Sequence, residues 1–205
     1  MNQPVEMDIS AYLLGLLTQT LGEGRERVLL ALIQRAKFEG WLKLELAYAV
    51  SRQPNCDGVT LEAQYPASAS RADISFTLRG TQWFAEIKTA NTNWRHPLVE
   101  SKTRPITENV RGIIKDINKV RDATPSFGAL AVFLLFPVPL RIWTRERYQL
   151  RSHLRRIEDR ASLARGSVEA SGSFMELQEG VGLTVYVVDV HGSTVVHTPP
   201  EPLAH

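Results

Sequence analysis

A chain of 205 residues with 43% hydrophobic and 22% charged residues has the make-up of a globular protein that can bury a core, as one domain or one domain with a small helical appendage. Its net charge of +2 permits a polyanionic partner without demanding one. The single cysteine, Cys56, excludes an internal disulfide and reads as a small apolar residue, no Cys/His cluster suggests zinc, and the longest apolar stretch, 129–140, is too short to span a bilayer.

Acids precede any apolar run at the N-terminus, so no secretory signal is expected, and a reducing, cytoplasmic setting without a membrane fits best. In chain order, helical apolar spacing predicts a helix over 9–21, ended by Gly22-Glu23-Gly24. A second helix is expected over 25–38. Gly40 interrupts it, and a third follows over 41–51. Turn residues make 52–58 a loop. The period then changes. Residues 59–65 read as a strand, and 72–78 alternate, with Ala72, Ile74, Phe76 and Leu78 on one face and Asp73, Ser75 and Thr77 on the other. Arg79-Gly80 is a turn signal, 82–89 a strand and 91–104 a polar loop. A helix over 106–120 turns Ile106, Val110, Ile113, Ile114, Ile117 and Val120 inward. The unbroken apolar run 128–136 is a buried strand. A basic helix over 145–164, strands near 174–177 and 183–190, and a loose, proline-bearing tail complete the chain. This order predicts an α/β fold, a mixed β-sheet flanked by helices. The expected organisation is an N-terminal helical extension over 1–40 packed on the core, a main domain over 41–192 and a flexible tail over 193–205.

The informative region is 72–88. Strand alternation puts Glu86 and Lys88 on one face. A two-residue turn at Arg79-Gly80 places Asp73 directly opposite Glu86, with Cβ atoms roughly 4.5–5.5 Å apart. Two carboxylates so placed repel. A shared proton would relieve them. A divalent cation serves better, because Lys88 beside the pair favours ionised carboxylates, and hard oxygen ligands suit Mg²⁺ or Mn²⁺. Such an ion polarises a phosphodiester and lowers the pKa of an attacking water, which Lys88 could orient.

The pattern Asp73, twelve residues, then Glu86-Ile87-Lys88 resembles the PD-(D/E)XK nuclease superfamily, the restriction-endonuclease-like fold. The lead proline of that motif is replaced by Ala72. The resemblance spans roughly 41–163, including the order helix, three-strand meander, helix, strand, helix. It implies a restriction-endonuclease-like core with N-terminal helices. The implied activity is a Mg²⁺- or Mn²⁺-dependent nuclease acting on nucleic acid, DNA ahead of RNA, and leaving a 5′-phosphate and a 3′-hydroxyl. It implies catalytic roles for Asp73, Glu86, Lys88 and Glu45, an acid on the preceding helix that is flanked by Leu44 and Leu46. Asp73, Glu86, Glu45 and the Ile87 carbonyl would be the metal ligands, with Glu23 and Glu26 as weaker rivals to Glu45. Lys115, Arg111 and Asn109 on the following helix would face substrate phosphates, and the resemblance leaves a homodimer open.

Other residues are weighed from chemistry alone. Trp94 and Arg95, with Asn91, Asn93 and His96, could touch nucleic acid, Trp94 by stacking; the alternative is a solvated loop with one anchoring aromatic. Glu62 reads as an exposed edge-strand acid rather than an extra ligand. His153 reads as a surface histidine, and the seven arginines of 145–165 as a solvated helix face in preference to a phosphate track. Asp189 reads as structural. The alternative to a nuclease is a catalytically silent nucleic-acid- or protein-binding module on the same fold.

Overall fold

The computed structural model describes residues 8–66, 68–97, 99 and 105–192. The expected tail and part of the polar loop, 98 and 100–104, lie outside these residues. Six strands form one mixed sheet in the order β1-β2-β3-β4-β6-β5. They are β1 Cys56–Gln64, β2 Arg71–Leu78, β3 Thr81–Asn91, β4 Gly128–Pro139, β5 Gly172–Gln178 and β6 Val181–Asp189. Only β3 and β4 pair in parallel; the other neighbours are antiparallel. A parallel pair needs a crossover, and α4, Ile106–Ala123, supplies it.

Helices cover both faces. On one side lie α1, Ile9–Glu23, α2, Arg25–Ile33, and α3, Glu39–Ser51, with Leu13, Leu17, Leu21, Val28, Leu32, Leu42 and Leu46 packed on Ile74, Ile87, Val132 and Val185. On the other lie α4, α5, Leu140–Thr144, α6, Arg147–Arg160, and the short α7, Ser167–Ala170. There Val110, Ile113, Ile117, Leu150 and Leu154 meet Phe84, Phe133 and Tyr186. Every residue of β4 is buried, as its unbroken apolar run requires of a strand covered on both faces. Among the described residues no helix is long and apolar enough to cross a membrane.

Several expected boundaries move, β1 among them, which starts at Cys56 rather than 59. The second helix stops at Ile33 rather than near Phe38, because Arg35 takes a left-handed backbone (φ 49°) and turns the chain. The third begins at Glu39, so Gly40 lies inside it rather than interrupting it. The expected basic helix over 145–164 is shortened to α6, Arg147–Arg160, and the short α5 precedes it.

The turn that matters for the site is Arg79-Gly80. Both residues have positive φ, 52° and 80°, the pattern of a two-residue turn whose twist matches the flanking strands. It fixes the β2–β3 register at Leu78↔Thr81 through Ile74↔Ala85. Main-chain pairing ends there. Continued by one residue, the register sets Asp73 against Glu86. In place of a further main-chain pair, the Ile87 N–H donates to Asp73 Oδ2 at 2.6 Å.

Candidate active site

The end of the β2–β3 ladder gathers charged side chains from five elements. Asp73 and Glu86 come from neighbouring strands. Glu62 stands beside Asp73 on β1, between the pairs Leu61↔Ile74 and Ala63↔Ala72, with a left-handed backbone (φ 50°) unusual for a glutamate. From α3, Lys43 Nζ reaches Asp73 Oδ1 at 2.6 Å and Glu62 Oε1 at 2.7 Å. Glu39, one helical turn before it, accepts the Thr89 N–H at 2.9 Å. From α4, Lys119 Nζ lies 2.7 Å from Glu86 Oε1, and Asp116 Oδ2 lies 3.3 Å from Lys88 Nζ. Tyr65, just past β1, donates its hydroxyl to Glu86 Oε1. Gly112 faces Lys88: a Cβ there would meet its Cε at 3.6 Å, an ordinary contact.

The electrostatics follow from this packing. Glu86 is only 6% exposed, and burial raises its pKa above the ordinary carboxylate range; the bonds from Lys119 and Tyr65 oppose the rise, and the Asp73 charge adds to it. Burial also raises Asp116, against the pull of Lys88. For Lys88 burial acts downward, but the charges of Asp116 and Glu39 outweigh it and raise its pKa. Lys43 behaves alike: burial lowers it, and its bonds to Asp73 and Glu62 lift it well above the usual lysine value. The acids Glu39, Glu62, Asp73, Glu86 and Asp116 outnumber the lysines Lys43, Lys88 and Lys119 by two. Interleaved lysines thus offset the repulsion expected between Asp73 and Glu86.

No protein-family model matches the chain, and neither a curated protein nor a solved structure matches it.

The site is therefore read from its own geometry. Among the described residues no group of three or more His, Cys, Asp or Glu side chains is arranged to hold a metal ion. A divalent ion here would have two carboxylates, Asp73 and Glu86. A strand residue points its N–H and C=O to the same side, so the Ile87 carbonyl opens on the same gap as the N–H bound by Asp73. Two carboxylates, one carbonyl and added water or phosphate oxygens suit Mg²⁺, which is seldom held in an all-protein cage.

The structure brings Asp73, Glu86, Ile87 and Lys88 together. It does not bring Glu45 to them. Glu45 points to Arg27 of α2, its Oε1 3.8 Å from the guanidinium. The inward stripe of α3 is filled by Leu42, Leu46, Ala47 and Val50, and Leu44, whose apolar character suggested an inward Glu45, is 59% exposed. Lys43 and Glu39 are the charged α3 side chains that bond to β2 and β3. Glu45 lies two residues beyond Lys43, about 200° round the helix.

Of the expected substrate contacts, Arg111, Lys115 and Arg95 are exposed. Asn109 ties α4 to β3, donating to the Asn91 carbonyl at 2.6 Å. Trp94 offers no stacking face: it is 9% exposed, gives its indole N–H to Gln149 Oε1 at 3.2 Å and packs edge-on against His153. It is the anchoring aromatic of its loop. His153 is half-buried beneath it rather than a surface residue, and burial lowers its pKa.

Sequence reading missed Glu39, Lys43, Tyr65, Asp116 and Lys119. Helical spacing carried part of the signal. Glu39 and Lys43 are four apart, and Gly112, Asp116 and Lys119 follow the i, i+4, i+7 pattern of one helix face beside the apolar stripe. Nothing local marked Tyr65.

Proposed function

We propose that this protein is a metal-dependent nuclease that hydrolyses phosphodiester bonds in nucleic acid, DNA ahead of RNA. The observation that carries the reading is the convergence of Asp73, Glu86 and Lys88 where β2 and β3 part. The element order supports it too: α3, the β1-β2-β3 meander, the α4 crossover, then β4 parallel to β3. That is the arrangement expected of a restriction-endonuclease-like core.

In this reading Asp73, Glu86 and the Ile87 carbonyl hold Mg²⁺ or Mn²⁺. The bound cation supplies Lewis-acid polarisation of the phosphate and lowers the pKa of an attacking water. Lys88 orients that water and offsets charge that develops on the phosphate, with Asp116 fixing its ammonium from behind. Lys43, which bonds both Asp73 and Glu62, would place a positive charge beside the site for a substrate phosphate. The exposed Arg111 and Lys115 give the backbone a cationic approach along α4.

A second reading has its own support: Lys43 and Lys119 already neutralise the acids, as a binding module without catalysis would require. Incubation of the purified chain with plasmid, single-stranded DNA and RNA separates the two. Cleavage with Mg²⁺ or Mn²⁺ that stops with EDTA is the expected result. Retention of all three substrates intact under every metal condition favours the binding module.

A further inference from the structure

Glu86 is held unusually tightly for a group expected to bind a cation. Its Oε1 accepts from both the Tyr65 hydroxyl and the Lys119 ammonium. Lys119 is itself fixed by a bond to the Arg71 carbonyl at 2.7 Å and lies over the Tyr65 ring, 5.4 Å from its centroid. The ring is 2% exposed and packs on Phe84, two residues before Glu86 on the same strand, with centroids 5.6 Å apart. The Tyr65 backbone is set by its N–H to the Ser70 carbonyl at 3.1 Å. Both of these contacts fall on Oε1 of the carboxylate.

We infer that Tyr65 is a positioning residue for the cation site: its hydroxyl holds Oε1 of Glu86 and so fixes the carboxylate with Oε2 offered to the divalent ion. The inference rests on the nuclease reading, since it needs Glu86 to be a ligand. Tyr65 rather than Lys119 is the informative partner. Loss of Lys119 would remove a positive charge that repels the cation as well as a hydrogen bond, so its two effects on binding oppose each other. The phenol is neutral, and its loss removes only the hydrogen bond that orders the ligand. Hydrogen-bond partners of metal-ligating groups typically set affinity by ~10–100-fold.

The test is isothermal titration of the full chain with MnCl₂, with no nucleic acid present. Wild type is expected to bind Mn²⁺ and Glu86→Gln to lose it. Tyr65→Phe keeps the ring packing and should bind Mn²⁺ ~10–100-fold more weakly, while its melting temperature in EDTA stays within a few degrees of wild type. Phe84→Leu disturbs the same packing without removing the hydroxyl and should bind as wild type does. Wild-type affinity in Tyr65→Phe, or an equal loss in Phe84→Leu, overturns the positioning role and leaves the nuclease reading standing. Failure of wild type itself to bind Mn²⁺ overturns that reading and the positioning role with it.

Discussion

Lys88→Ala is expected to keep the fold and lower the turnover of nucleic-acid cleavage roughly 10²–10³-fold, the usual consequence of removing one preorganised donor from a reaction centre. The side chain is part-buried beside Glu86 on β3, opposite Gly112 and paired with Asp116, so its ammonium has one well-defined position. The loss should therefore fall on turnover at saturating Mn²⁺, with an unchanged circular dichroism spectrum. Lys88→Arg should recover little, because a planar guanidinium does not reproduce the position or hydrogen bonding of a compact ammonium. Full activity in Lys88→Ala would remove this residue from the mechanism.

The second large effect concerns stability. Phe133→Ala should cost about 3–5 kcal/mol and lower the melting temperature on the order of 10 °C. Phe133 lies on β4, between β3 and β6, where both faces are covered, and its ring stacks on Tyr186 with centroids 4.9 Å apart. Truncation leaves a void that the surrounding strands cannot close, because β4 is held by pairing on both sides. Chemical denaturation of the two proteins measures the difference; a loss below about 1 kcal/mol would mean that the site collapses far better than its packing suggests.

The strands around the site were legible because each is specified locally. Alternation over 72–78, the Arg79-Gly80 turn and the apolar run of β4 each have one good structural solution, and the turn alone fixes the register that sets Asp73 against Glu86. Helix α4 was legible for the same reason, through its inward isoleucines and valines. The surroundings of the acids were not legible. Lys43, Lys119, Asp116 and Tyr65 arrive from other elements, and what they touch depends on how α3 and α4 sit on opposite faces of the sheet. Glu45 lies away from the acids because its two flanking leucines do not both face inward: α3 leaves Leu44 in solvent and turns Lys43 to Asp73. The shift of the second helix end had a similar origin, since the left-handed turn at Arg35 has no glycine to announce it.

A crystal of the full chain soaked in Mn²⁺ and measured at the manganese absorption edge addresses the centre of the account. The prediction is an anomalous peak between Asp73 and Glu86, beside the Ile87 carbonyl. A featureless map at that position, with Lys43 and Lys119 still seated on their carboxylates at saturating Mn²⁺, would contradict it.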